Sequence, residues 1–241
     1  MEFLSEVSAF FADGANWAGP AGILNRTLEH VGLSAFSMLV AGLIAMPPAL
    51  LLGHTGRGGL FAVSVVNIGR AVPSFAIVAL ALPVSINLGL GLGFWPTFLA
   101  LVALALPPMF TNTYTAVREV DRGTVEAGRG MGMTEGEILR GIELPLASPV
   151  ILAAVRVASV QVVATATLGA LVAWGGLGRY IVDGFSQGDN VEVFVGGLLV
   201  ALLAVATELF FGIVERLAVP PGIRVATSAA VAKTAGTAAH G

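Results

Sequence analysis

The stretch "VEAGRGMGMTEGEILRGIELPLASPV", residues 125–150, is polar, glycine-rich and charged, yet long charge-free apolar runs lie on both sides of it. Gly128, Gly130 and Gly132 alternate as they would in a phosphate-binding loop. A dinucleotide fingerprint, however, needs a strand before its glycines and a helix after them. Here an apolar helical run comes first. A Walker A loop needs Gly-Lys followed by Ser or Thr, and the only lysine, Lys233, follows Ala232. The stretch reads instead as two short helices with a joint. Thr124 is placed to cap the first, which carries Glu126 and Ala127, and Gly132 sits where a left-handed glycine would end it. Thr134 and Glu137 have the spacing of a capping box and start the second. Ile138, Leu139 and Ile142 share one face of that second helix, and Pro145 is expected to stop it. These apolar side chains leave two readings open: docking into the groove of a partner, or packing under the chain's own helices.

The flanking runs set the class. Of 241 residues, 56% are hydrophobic and 11% charged, against about 25% charged in a soluble domain. A bilayer core about 30 Å thick takes roughly 20 apolar residues per helix, and several runs are long enough. The net charge of −3 gives no footprint for nucleic acid, and the lack of cysteine excludes disulfides and Cys-bound metals. The start has no basic n-region before its apolar residues, so it does not read as a cleaved signal. Phe3, Leu4, Val7, Phe10 and Phe11 share a helical face there, which fits an amphipathic segment over 1–24 or a frayed helix.

Working outward, Val31 to Gly53 forms a first span, kinked or broken by Pro47 and Pro48. No charge occurs from Ala71 to Ala116. The glycines and prolines of "PVSINLGLGLGFWP" divide that region into spans near 61–83 and 95–116, with Trp95 at an interface. A fourth span starts with Ser148 as N-cap and Pro149 as first residue and runs to about Trp174. A fifth covers about 193–215, and the tail beyond 219 has a disordered composition. The expectation is an all-α integral membrane protein of about five transmembrane helices over 25–218. The segments holding Arg57, Arg118, Arg122, Arg129, Arg140, Arg216, Arg224 and Lys233 fall on one side, and Arg26 and Arg179 on the other. The positive-inside rule puts residues 117–147 and the C-terminus in the cytoplasm and the N-terminus outside.

Glu126-Ala127-Gly128, then Gly132, then Ile142, Leu144 and Pro145 resemble, in spacing, the EAA loop of bacterial ABC importer permeases. Gly128 departs from the usual third-position alanine. "GRAVPSFA" (69–76), "NTYTAVREVD" (112–121) and "VILAAVRVASVQVVATATLGALVAWGGLGRYIVDG" (150–184) look like the osmoprotectant branch, whose members import glycine betaine, choline, carnitine or proline betaine. The resemblance implies a MetI-like fold and a permease dimer, either two copies or a copy with a sister permease. It implies two ATPase subunits below and an extracytoplasmic solute-binding protein above. It also implies that Glu126 to Pro145 is the coupling helix seated on the ATPase. ATP and magnesium would be held by that partner, with no cofactor, metal or ATPase site in this chain. The membrane implied is the bacterial cytoplasmic one.

Other residues are less telling. Gln161, Thr165 and Thr167 are polar positions in the fourth span that would line a pathway or bond between helices. Arg70, Arg156 and Glu208 lie in or near apolar runs, where a charge either lines a pathway or locks helices together, or snorkels or pairs near the cytoplasmic end. Arg179 and Asp183 are spaced for an i,i+4 pair on a short helix between the last two spans. His30, His54 and His240 are isolated in sequence, and Tyr and Trp do not cluster within the spans. No Ser–His–Asp or paired-carboxylate arrangement supports an enzyme. An ABC permease for amino acids or another small solute is the alternative, and a secondary transporter or channel ranks below it.

Overall fold

The structure, a computed structural model, describes residues 2–219 and Gly222. The side chains of Leu60 and Arg70, and the tail from 220 on apart from Gly222, fall outside the described residues. Among those residues every regular element is helical: α1 (Glu2–Ala12), α2 (Ile23–Thr55), α3 (Gly59–Ile68), α4 (Ser74–Asn87), α5 (Phe94–Arg118), α6 (Arg122–Gly130), α7 (Glu135–Ile138), α8 (Leu144–Thr165), α9 (Gly178–Gln187) and α10 (Asn190–Ala218). A π turn (Leu139–Glu143) joins α7 to α8, and a 3-10 segment (Ala166–Val172) prolongs α8.

Helix α5 is central, with α2, α8, α4 and α3 packed around it, while α10 lies at the periphery against α8 and α9. The contact of α2 with α5 is close because Ala41, Ala45, Ala49 and Gly53 recur every fourth residue on the buried face of α2. Small residues at that spacing let two backbones approach. At Gly53 a Cβ would sit 2.9 Å from Val117 Cβ and 3.0 Å from the Tyr114 carbonyl.

Four helical stretches are long and apolar enough to cross a membrane: Ile23–Thr55, Phe94–Arg118, Glu135–Val172 and Asn190–Ala218. The span expected over 61–83 is divided instead between α3 and α4. Pro73 holds Val72 in an extended conformation (φ −82, ψ 121), which a helix cannot contain. Helix α4, of 14 residues, is only about 21 Å long at 1.5 Å per residue. The prolines of α2 behave otherwise: Pro47 and Pro48 lie inside a continuous helix that starts eight residues before Val31. Missing amide bonds are tolerated in apolar helices whose neighbours support them. The N-terminal helix is docked rather than frayed. Phe3 meets Phe194 edge-on at 5.3 Å and Phe10 meets Tyr180 at 6.2 Å.

Helices α2 and α8 run antiparallel and touch near both ends. At one end His30, only 1% exposed, lies against Val163 and Leu177. Its Nε2 is 2.8 Å from the Val163 carbonyl, and its Nδ1 is 3.3 Å from the Leu177 amide. A carbonyl only accepts and an amide N–H only donates, so Nε2 carries the proton and Nδ1 the lone pair. Beside it Glu29 accepts from the Gly176 amide at 2.8 Å. The same end gathers aromatic rings that the sequence leaves apart: Phe94 stacks on Phe98 at 5.7 Å and meets Trp174 at 5.2 Å, with Phe36 and Trp95 beside them. These rings fill one another's faces and form a packing cluster.

Candidate coupling segment

Residues 121–149 form the expected jointed pair, with different stops and starts. Asp121, not Thr124, caps α6: its Oδ2 accepts from the Thr124 amide at 2.7 Å and from the Thr124 hydroxyl at 3.0 Å. Those two bonds, the amide first, hold the Asp121 carboxyl below its ordinary range. The joint follows as read. Gly132 has φ +85, and the Met133 amide returns to the Gly128 carbonyl at 3.2 Å. Thr134 and Glu137 form the capping box, with the Thr134 amide donating to Glu137 at 2.7 Å and the Glu137 amide donating to Thr134 at 3.3 Å.

Pro145 does not stop the second helix, and Ser148 does not start another. A proline removes one amide and its ring crowds the carbonyl four residues back, here Gly141. The π turn accommodates it: the Leu144 amide reaches back five residues to the Leu139 carbonyl, so the chain is widened just ahead of Pro145 and continues. Pro149 likewise has no N–H for the Pro145 carbonyl, and Ser148 Oγ donates to that carbonyl at 2.8 Å instead. One helical rod thus runs from Glu135 to Val172.

The apolar face packs inward. Ile138 is fully buried, Leu139 packs with Ala116, Val117, Ala147 and Ile151, and Ile142 is half-buried. The two short helices meet at Gly128, where a Cβ would lie 2.7 Å from Ile142 Cδ1, so the δ-methyl occupies the place of the missing alanine side chain. What faces outward is Met131, 75% exposed at the tip, with Glu126, Ala127, Gly132 and Arg129 around it. Leu144 is exposed and Pro145 half-buried. The sequence reading missed Met131, whose signal is a single apolar residue between glycines in a polar stretch.

It also missed a charge cluster at this end of α2. His54 is not isolated: its Nδ1 lies 2.6 Å from Glu143 Oε2 and its Nε2 3.0 Å from Glu135 Oε2. Glu135 in turn takes two bonds from Arg129, at 2.8 and 2.9 Å, across the Gly132 joint. These contacts link α2, α6, α7 and the π turn, and nothing in the spacing of residues 54 and 143 announces them.

The three polar positions read as pathway candidates are not drawn together. Gln161 is exposed on α8, Thr165 ends that helix half-buried, and the Thr167 hydroxyl donates to the Ala164 carbonyl at 2.9 Å. None lines the largest described cavity, about 840 Å³ and apolar, between α2, α8 and α10. Arg156 and Glu208 do come together, joining α8 to α10, with Glu215 3.2 Å from the same guanidinium. Arg179 and Asp183 pair on α9 at 2.5 Å.

The architecture is that of a multi-pass helical membrane protein with a jointed, capped pair of short helices at one end of its bundle. The chain belongs to the family of binding-protein-dependent transport system inner membrane components, whose pattern it matches over residues 38–219. It is 34% identical over 202 residues to the choline transport system permease protein OpuBB of Bacillus subtilis (strain 168), covering 84% of this chain and 91% of that one. It is 34% identical over 204 residues to the carnitine transport permease protein OpuCB of Listeria monocytogenes, covering 85% and 91%. Among solved structures, an inward-facing conformation of the MetNI methionine ABC transporter superposes with a TM-score of 0.71. It is 23% identical and covers 82% of this chain and 97% of that one. The fold is therefore MetI-like.

Proposed function

We propose that this chain is the transmembrane permease subunit of an ATP-driven importer for osmoprotectants such as glycine betaine, choline, carnitine or proline betaine. The observation that carries the reading is the jointed segment 121–149, presented at one end of the bundle and continuous with a rod that crosses it. A secondary transporter has no use for such a docking element. The substrate class rests on relatives named for choline and carnitine.

On this reading an ATPase subunit receives the tip around Met131, with Glu126, Ala127 and Gly132 beside it. Leu144 and Pro145 form the base of the lever. Ile138, Leu139, Ile142 and Gly128 keep the two short helices at a fixed angle, so that closure of the ATPase pair moves the rod as one body. ATP and magnesium belong to that partner. A second permease, identical or a sister, completes the pathway. The exposed face of α8 around Gln161, with Thr165 and Thr167 nearer its end, is the surface that would line it. An extracytoplasmic binding protein delivers the solute, with residues 117–147 in the cytoplasm of a bacterial cell and the N-terminus outside.

The test is to isolate the binding protein that co-purifies with the complex and titrate it with betaine, choline, carnitine and amino acids. Saturable binding of quaternary ammonium solutes is expected. Binding of amino acids alone would transfer the chain to an amino-acid importer. The purified chain by itself is expected to hydrolyse no ATP above background.

A further inference from the structure

We propose that His54 is a positioning residue that carries motion of the coupling segment into α2 by way of the buried Glu143 carboxylate. The proposal rests on the permease reading above. Glu143 is only 5% exposed and sits inside the π turn, at the point where the rod of Glu135–Val172 changes pitch. A carboxyl group with so little exposure needs a hydrogen-bonded partner. Its partner among the described residues is His54, at 2.6 Å. Both ring nitrogens of His54 face carboxylate oxygens, Nδ1 in a hydrogen bond to Glu143 and Nε2 3.0 Å from Glu135.

The placement of that ring follows from its neighbour. Gly53 lets the last turn of α2 rest directly on Val117 and the Tyr114 carbonyl, which puts residue 54 at the base of the segment. A small polar cavity beside it, about 150 Å³, is also lined by Arg118, Arg122, Glu126 and Arg129. With Glu135, these are the charged groups facing the pair among the described residues.

The two links of the cluster are not equal. Arg129 and Glu135 are about half exposed, and such pairs contribute little because water and salt screen them. Removing one member of a buried pair strands a charge and costs far more. Displacement of the segment therefore reaches α2 chiefly through Glu143 and His54. Helix α2 is unbroken from Ile23 to Thr55 and is gripped again at His30. A pull at its base is thus delivered to the opposite end of the bundle.

The experiment uses the complete transporter, reconstituted in vesicles with its ATPase and binding protein, and measures solute imported per ATP hydrolysed. His54→Gln and Glu143→Gln are each expected to lower that ratio roughly tenfold in complexes that still assemble, because one charge is left alone. The double variant pairs two amides, each with a donor and an acceptor, and is expected to return to within about threefold of wild type. Glu135→Gln, at the exposed link, should change the ratio less than about twofold. The proposal is overturned if the single variants keep the wild-type ratio, or if the double variant shows the product of the two losses. It is also overturned if the singles fail to assemble while the double assembles and imports normally, since the pair would then serve folding alone. A wild-type complex that binds no ATPase and imports no solute overturns the permease reading and the proposal with it.

Discussion

The two ends of α2 are each held by a histidine, but to opposite kinds of partner. Among the described residues the His30 ring meets main-chain groups, the Val163 carbonyl and the Leu177 amide, which lie on a helix and a tight glycine turn. Among the described residues the His54 ring meets side-chain carboxylates, Glu143 and Glu135, on a segment jointed at Gly132. Main-chain partners cannot be exchanged without unfolding the element that bears them. Carboxylates can rotate and trade partners while the backbone stays intact. The first arrangement fixes a position; the second allows a joint to move while remaining attached. The histidines are 24 residues apart, about 36 Å along a helix, so one helix connects the fixed end to the movable one.

The largest expected effect breaks the fixed end. His30→Ala leaves a buried carbonyl and a buried amide without partners and opens a cavity, a loss of about 3 kcal/mol. Thermal unfolding in detergent should show a clear drop in Tm. An unchanged Tm would mean that the outer grip is not a structural anchor.

Gly132→Val acts on the movable end. A β-branched residue at φ +85 costs about 2 kcal/mol in local strain. Space is not the obstacle, since no atom lies within 4 Å of the added Cβ. Uptake per ATP should fall while Tm of the bundle holds, and Gly132→Asn, which tolerates this conformation, should retain most uptake. Equal uptake by valine and wild type would remove the joint from the mechanism.

Gly128→Ala tests the packing between the two short helices. The new methyl must displace Ile142 Cδ1, a flexible side-chain end, so the cost is about 1 kcal/mol. Adding Ile142→Val, which removes that δ-methyl, should recover it in the same melting assay. Smallest is Ala173→Gly. Ala173 has φ +66 where the 3-10 segment ends. Relief of left-handed strain exceeds glycine's entropy cost by only about 0.5 kcal/mol, seen as a slight rise in Tm at the fixed end.

Much of this is legible in the sequence alone. The charge-free runs gave the apolar helices, and Thr134 with Glu137 gave the start of the second short helix. Gly132 was readable because a left-handed turn between two caps leaves few residue types. Two positions, Pro145 and Ser148, misled because proline and serine signals describe what a local chain prefers, while the turn they sit in decides what it does; a third, Thr124, lost to a better cap nearby. Pro145 continues because a π turn widens the helix ahead of it, and Ser148 bonds backward to the carbonyl that Pro149 leaves open. Thr124 is capped rather than capping, because Asp121, three residues earlier, offers the better acceptor.

By itself the sequence determined that this chain is a helical membrane protein with a polar, jointed segment between spans. Hydropathy and capping are local properties, written into runs of neighbouring residues. Only the tertiary structure decided that Ile138 and Ile142 turn inward, that Met131 is the exposed tip, and that His54 meets Glu143. Those outcomes depend on how antiparallel helices far apart in sequence are brought side by side. The every-fourth small residues Ala41, Ala45, Ala49 and Gly53 mark the face of α2 that packs closely, but which helix that face meets is set only when the chain is folded.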